Sequence, residues 1–345
     1  MSLAAAVKRR AEQLGFVACG ITDPSPVDDG GWLDRWLASG YAGVMRYLHR
    51  QARKRKDPRL IEPGAKSVVV VLDNYYDGAP DPGPPPKLAR YARGEDYHRV
   101  TRARLEPLAD LLRSHGARIA HTFADSGPVP ERALALRAGL GWLGKNTMLI
   151  RPGAGSFFFI GTVFTDLALE QDRSDSTDHC GTCTRCLDAC PTGALVEPRV
   201  LDATRCISYL TIELHGAIPE DLRPLIGNRV YGCDDCQLAC PWNRFAQTAA
   251  EHDFRAVRHG LDRATLVELF AWTEEEFDTR MAGSAIRRIG YERWSRNIAV
   301  GLGNASASAA VLAALERRAN DPSPLVREHV AWALARVRNQ LTGIS

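Results

Sequence analysis

Eight of the nine cysteines lie between residues 180 and 240. The first four run Cys180-x2-Cys183-x2-Cys186-x3-Cys190-Pro191. The others are Cys206 and then Cys233-x2-Cys236-x3-Cys240-Pro241. Thiolates two residues apart wrap one corner of an iron–sulfur cubane before the chain turns away. The x3-Cys-Pro segment then opens a helix that crosses to a second cubane. Proline suits its first turn, where the missing N–H costs nothing. The fourth cysteine of each run therefore serves the other cluster. The spacing predicts a ferredoxin-like module with two [4Fe–4S] clusters. One is held by Cys180, Cys183, Cys186 and Cys240, the other by Cys190, Cys206, Cys233 and Cys236. Cys206 replaces the first cysteine of the second run, and 26 residues separate it from Cys233. Two structural zinc sites are the plainer alternative. Zinc takes isolated C-x2-C pairs, however, and the first run has one thiolate too many. Such clusters carry electrons and do no substrate chemistry, so a donor and an acceptor must exist. Cys19, alone in FVACGIT, reads as a buried structural thiol.

The elements that position these cysteines form a multi-domain chain of α+β/α type. At 345 residues, two or three domains are expected. With 45% apolar and 25% charged residues, the chain can bury a real core. No apolar run is long enough to span a bilayer, and no apolar stretch follows Arg9-Arg10 as an export signal requires. A cytoplasmic protein is expected, and clustered cysteines there argue for metal rather than disulfides. Residues 1–170 read as an α/β domain, with helical stretches at 4–14, 30–49, 98–115 and 130–139. Strand-like runs fall at 16–21, 66–73, 117–123 and 156–165. A proline-rich loop, DGAPDPGPPP, occupies 77–86. Gly139, Gly141 and Gly144 make a glycine-rich turn without dinucleotide spacing, so a nicotinamide or flavin fold is not supported. Residues 171–245 are the cluster module. Residues 246–345 read as all-helical. There Ile298-Ala-Val-Gly-Leu302 and Val330-Ala-Trp-Ala-Leu334 align at a period of 32, the pattern of HEAT-like repeats.

Charge is unevenly placed. Residues 280–340 hold ten Arg, no Lys and four acids, while the rest holds 34 basic and 37 acidic residues. The whole positive excess therefore sits in the helical tail. An Arg-rich face without Lys suits phosphate, so a nucleic-acid surface is one reading. A soluble helical tail that uses Arg is the other. The exposed faces are expected to carry Arg287, Arg288, Arg293, Arg296 and Arg327, whereas Trp294 reads as core.

Taken together, the segments RKRKDPRLIEPGAKSVVVV, ARYARGEDYH, ADSGPVPERALALRAGLGWLGKNTMLI, CGTCTRCLDACPTGAL, RCISYLTIE, NRVYGCDDCQLACPWN and RNIAVGLGN carry a resemblance. Over nearly its whole length the chain resembles the epoxyqueuosine reductases, cobalamin-dependent enzymes that complete queuosine in tRNA. Its α/β and cluster parts are also similar to respiratory reductive dehalogenases, which are exported and lack the basic tail. The resemblance implies a base-off cobalamin without a protein His on cobalt. No D-x-H-x-x-G motif is present. It also implies that two electrons and two protons convert the wobble-position epoxide to a cyclopentene and water. Electrons would pass from an external donor through both clusters to cobalt.

The same resemblance implies site residues. The proton donor maps onto Asp125 in Asp-Ser-Gly-Pro, where a carboxyl held against corrin and apolar walls would have a raised pKa and stay protonated near neutral pH. A helix N-cap or turn Asp is the plain alternative. Cobalamin contacts map onto Arg55, Leu149, Ile160, Ser208, Asp234 and Asp235, with Tyr97 and His98 as weaker candidates. For tRNA, His215 lies where the family has Lys, in a TIELHG segment one residue longer than the family pattern. Arg287, Arg288, Arg293, Arg296 and Asn297 are the remaining tRNA candidates, beside the aromatics Tyr291 and Trp294. A monomer is expected. Two rivals stand beside this reading: a cytosolic cobalamin-dependent reductase of a small molecule, and a non-enzymatic ferredoxin-type carrier fused to an interaction domain.

Overall fold

The computed structural model describes residues 2–28, 30–79, 87–174 and 177–343. The proline-rich stretch lies outside them from Pro80 onward. Four strands form one sheet in the order Ala18–Thr22, Ser67–Asn74, Phe158–Thr165, Ala120–Ala124. Every pairing is antiparallel, with Val70 opposite Gly20 on one side and Thr162 on the other. The domain is thus of the α+β kind and not the α/β winding expected, whose strands run parallel.

All eight residues of Ser67–Asn74 are buried, because helices cover both faces of this central strand. Val69 and Val71 pack with Val7 and Ala11 of helix Leu3–Gln13 and with Leu105, Leu108 and Leu112 of helix Tyr97–Ser114. Val68, Val70 and Leu72 face Leu134 and Ala135 of helix Glu131–Arg137. Side chains alternate between faces, so two covered faces demand an unbroken apolar run. Each buried valine contributes roughly 1.5–3 kcal/mol. Antiparallel pairing also brings Asn74, Ala124 and Phe158 to one edge of the sheet. That edge is where the site forms. Cys19 lies in the outer strand and is only partly buried, although its surroundings push the thiol up to about 12.

The expected helix over 30–49 is broken into Trp32–Ala38 and Arg46–Arg50. The cause is tertiary. Gly43 sits at φ 54 against Tyr209, whose hydroxyl a Cβ there would meet at 2.2 Å. The Val44 N–H donates to that hydroxyl at 2.9 Å. Only glycine combines this backbone with so close an approach.

The C-terminal region is helical, as expected. Thr265–Glu268 and Thr273–Glu276 form capping boxes that start two short helices. The two aligned pentapeptides meet in helices Gly290–Gly303 and Pro324–Thr342, where Ile298, Leu302, Val330 and Leu334 share one core. Gly303 lets these helices touch, since a Cβ would lie 2.9 Å from the Ala333 Cα. Trp294 is fully buried in this core and stacks on Trp272 at 5.9 Å.

The three regions interlock. Lys87–Leu88 pairs in parallel with Arg229–Tyr231, and the Asn74 amide donates to the Gln247 carbonyl at 2.7 Å. Val300 of the tail packs among Ile207 and Leu210 of the cysteine region.

Candidate active site

Neighbouring thiols sort into the two expected quartets. Burial raises Cys186 first, and Cys240 and Cys180 raise it further. Cys240 likewise feels Cys180 and Cys183 after burial. In the other set, burial and then Cys233, Cys206 and Cys190 hold Cys236 far above its ordinary value. Thiols gathered in this way suit ligation by iron, which takes them as thiolates. Among the described residues, no three His, Cys, Asp or Glu converge on a single ion. A cubane does not require this, because its thiolates bind separate irons. The glycine-rich turn supports both runs. Lys145 Nζ donates to the carbonyls of Gly181 and Cys183 at 2.6 and 2.9 Å, and Asn146 Nδ2 donates to the Cys236 carbonyl at 3.1 Å. The Ala194 N–H donates to Cys190 Sγ at 3.3 Å.

Two adjoining cavities, of about 870 and 320 Å³, share Tyr91, Tyr97 and Asp125 in their walls. The larger is also lined by Arg55, His98, Cys206, Ser208, His215, Arg288 and Arg293. The smaller is lined by Glu131, Arg132, Leu149 and Ile160 at the sheet edge. Residues far apart in sequence, and singled out for acid, cofactor and tRNA roles, therefore converge. Cys206 brings the second thiol quartet to the wall of the larger cavity.

Asp125 ends the strand Ala120–Ala124 in left-handed backbone, φ 50, a strained conformation for a residue other than glycine. Two contacts fix it there. Its N–H donates to Glu131 Oε1 at 2.7 Å, and its carboxylate accepts from the Tyr97 hydroxyl. Pro130, not Asp125, precedes helix Glu131–Arg137, so the N-cap reading does not hold. His98 Nε2 lies 3.6 Å from the Asp125 carboxylate, and His98 Nδ1 lies 2.7 Å from Asp96. The Tyr97 ring is clamped between His98 at 4.0 Å and Phe159 at 4.3 Å. Asp125 is 63% exposed, and that surface faces the cavities.

The charges of this cluster are set by competition. Although Asp125 opens onto the cavities, the protein around it disfavours the charged form, but the His98 and Tyr97 contacts win and hold the carboxyl below its ordinary value. Burial pulls His98 down, yet Asp125 and Asp96 raise it to about 9. Burial, and then the charge of Asp125, push Glu131 up to about 8. The protein's own groups thus lower Asp125, whereas the expected raising depends on a corrin held against it. Near neutral pH the protons reside on His98 and Glu131, on either side of an ionised Asp125.

Arg55 reaches the larger cavity with its Nε buried and without a partner, its guanidinium 5.8 Å from the Tyr47 ring. Such an orphaned donor suits an acceptor from a bound group, such as a phosphate or amide oxygen. Leu149, Ile160 and Ser208 also line the cavities. Asp234 and Asp235 line neither. Asp234 accepts the Arg90 N–H at 2.8 Å, and Asp235 is taken by Arg229. Their place is in the frame of the second cysteine run.

The tRNA candidates divide. His215, Arg288 and Arg293 face the larger cavity, although Arg288 also pairs with Glu213. Arg287 is on the surface, 3.6 Å from Asp278. Arg296 and Asn297 are not on an exposed face at all. Arg296 is 0% exposed, and its guanidinium donates to the carbonyls of Leu210, Leu214 and Gly216, each at 2.7 Å. Asn297 Nδ2 donates to the carbonyls of Thr211 and Val230. These two side chains bolt the tail to the segment that carries Cys206 and Ser208. Sequence reasoning missed Glu131 and the partnership of Asp96 with His98. An acid six residues beyond Asp125, across a Pro- and Gly-rich turn, was the available signal.

Comparison with known proteins agrees with this site. A family model for a 4Fe-4S double cluster binding domain matches residues 179–243, and one for epoxyqueuosine reductase QueG, DUF1730, matches residues 55–126. The epoxyqueuosine reductase of Xanthomonas campestris is 53% identical, over 96% of this chain and 95% of the relative. That of Burkholderia pseudomallei is 51% identical, over 96% and 91%, and that of Escherichia coli 47%, over 96% and 89%. A crystal structure of selenomethionine-labelled epoxyqueuosine reductase superimposes at a TM-score of 0.87 and 32% identity, covering 97% of this chain and 90% of that one. A second such structure, holding an epoxyqueuosine-modified tRNA-Tyr stem loop, gives 0.85 at 32% identity and the same coverage. The chain belongs to the epoxyqueuosine reductase family.

Proposed function

We propose that this protein reduces epoxyqueuosine to queuosine at the wobble position of tRNA, the last step of queuosine formation. The observation that carries this reading is one cavity lined both by His98 and Asp125, with Asp96 behind His98, and by Cys206, a cluster ligand in this reading. Electrons and protons can therefore meet at one substrate.

The chain's own residues have distinct tasks. His98, protonated near neutral pH, hands a proton from Nε2 to the Asp125 carboxylate, which delivers it to the epoxide oxygen. Asp96 orients His98 through Nδ1 and stabilises its charge. Tyr97 and Glu131 fix Asp125 in position, and the protonated Glu131 is a second reserve for a reaction that consumes two protons. Arg55, Leu149, Ile160 and Ser208 would hold a cobalamin in the adjoining cavities, with the orphaned Arg55 Nε available to bind one of its acceptors. When bound, the two clusters and the cobalamin supply the low-potential electrons that the reduction needs.

In this reading residues 1–170 hold cobalamin and the acid, 171–245 hold the clusters, and 246–345 form a HEAT-like domain that helps seat tRNA. His215, Arg288 and Arg293 contact the anticodon loop from the cavity wall. Because tRNA is the substrate, the reaction is placed in the cytoplasm, with an external electron donor and a monomeric enzyme.

The test uses protein purified without oxygen and loaded with iron, sulfide and cobalamin, with dithionite as reductant. Its substrate is tRNA carrying epoxyqueuosine, and the digested nucleosides are weighed by mass spectrometry. Conversion that needs cobalamin and fails in Asp125→Ala establishes the enzyme and its acid. No conversion by fully loaded protein sinks the tRNA reading and leaves a small-molecule reductase.

A further inference from the structure

Between Asp34 and Asp57 the chain has no acidic residue but holds Arg35, Arg46, Arg50, Arg53, Lys54, Arg55 and Lys56. Two short helices, Arg46–Arg50 and Ala52–Lys56, present most of this charge. Their inner face belongs to the larger cavity, through Met45, Leu48, Gln51 and Arg55. Residues three and four apart share a helix face. Arg46, His49, Arg50 and Arg53 follow that spacing on the opposite side, and all are exposed, as is Lys54.

Nearby acids are already engaged. Asp34 takes Lys56 at 2.7 Å and Asp57 takes Arg59 at 2.8 Å. Arg46, Arg50, Arg53 and Lys54 form no ion pair with any described residue. The Arg-rich tail is the reverse case. Arg318 pairs with Asp321 and Arg338 with Glu316, Arg336 donates to the Gly303 carbonyl, and Arg296 is buried. Much of the tail's arginine is thus occupied, with the exposed Arg317 an exception, and unpaired charge gathers at the outer lip of the cavity.

We infer that the exposed strip Arg46–Arg50–Arg53–Lys54 is a docking surface for the phosphate backbone of the substrate tRNA, outside the nucleotide that enters the cavity. This rests on the tRNA reading above. The strip carries no built pocket and no paired carboxylate, so it offers what a phosphate ladder needs and a small anion does not: several unpaired cations along one line. Its inner face walls the cavity, so RNA whose reacting nucleotide enters there must run its backbone close to the lip. Such contacts position the substrate and are blind to its sequence.

The test compares the loaded wild-type enzyme with the triple variant Arg46→Gln, Arg50→Gln, Arg53→Gln. Thermal melting and cluster absorbance confirm that the variant is folded and loaded. Affinity for epoxyqueuosine-containing tRNA is measured by fluorescence anisotropy from low to moderate salt, and turnover gives kcat and KM. The expected result is an affinity lowered about tenfold or more at low salt. The slope of log affinity against log salt becomes shallower by about 2–3, one phosphate per lost Arg. KM rises with kcat preserved. An unchanged salt slope and KM in the triple variant overturns the docking strip, even while wild-type conversion upholds the tRNA reading. If wild-type enzyme neither binds nor converts the tRNA, the function itself fails, a separable outcome.

Discussion

On the cysteine side of the cavity, part of the ligand set follows a fixed short spacing in sequence. On its acid side the reactive groups come from separate segments. Cys233 and Cys236 are two residues apart, and Cys206 joins them from one short helix start. Asp96 and His98 open the long helix, Asp125 ends an edge strand, and Glu131 begins another helix. A cubane favours short thiolate spacing, so part of each ligand set clusters along the chain even though Cys240, Cys190 and Cys206 join from farther away. A proton relay needs only hydrogen-bond reach in space, so the antiparallel sheet can assemble it from anywhere. If this contrast is right, damage on the cysteine side removes a metal centre outright, whereas damage on the acid side slows turnover with the centres intact.

The largest effect is expected for Cys206→Ala. It should lose about half of the bound iron and all turnover, because the first quartet keeps its four cysteines. Iron and sulfide assays with electron paramagnetic resonance check this, and full iron content would break the assignment of Cys206. Next comes Asp125→Asn. It should keep both clusters and tRNA affinity while kcat falls about 10²–10⁴-fold, the usual worth of a positioned acid. A loss of iron in Asp125→Asn would show that the two sides are not independent.

Arg296→Met tests what supports the cysteine side. Removing the buried guanidinium strands the carbonyls of Leu210, Leu214 and Gly216. A cost of about 3 kcal/mol or more is expected, seen as a lower melting temperature. The salt dependence of tRNA binding should not change. If the slope did become shallower with stability intact, Arg296 would be a phosphate contact after all.

How much was legible follows the same line. The cluster module was legible because a double-cluster domain writes its thiolate spacing into the sequence. The apolar run over residues 68–72 announced a central strand because two covered faces leave no polar position in its middle. The antiparallel order was not legible, since pairing partners are chosen by long-range packing, and the broken helix near Gly43 depends on Tyr209, far along the chain. The expected exposure of Arg296 in the tail failed for a related reason. Composition counts arginines but not the carbonyls and acids that occupy them, and Arg296 is occupied entirely. Asp125 was found by resemblance. Glu131 and its effect on Asp125 required coordinates.

The smallest expected effect concerns Glu131 and sharpens the contrast most finely. Its folded-state value, about 8, lies above its ordinary 4.5, chiefly through burial and then through the charge of Asp125. A carboxyl raised on folding contributes stability that is fully present below about 4.5 and is lost as pH rises through about 8. Glu131→Gln keeps an acceptor for the Asp125 N–H but cannot ionise. Near pH 5 the variant should therefore match the wild type. Between roughly pH 5 and 8 the wild type should lose stability relative to it by on the order of 1 kcal/mol per pH unit. Denaturant unfolding of both proteins across that range measures the difference. His98, raised to about 9, adds a loss of the same sign above its ordinary 6.5, but it does so in both proteins and cancels. In Asp125→Asn the window should shift to lower pH, because the neighbouring charge that holds Glu131 up is gone. Parallel stability curves for wild type and Glu131→Gln would mean that Glu131 ionises outside this range, and the second proton would then have to come from elsewhere in the cavity.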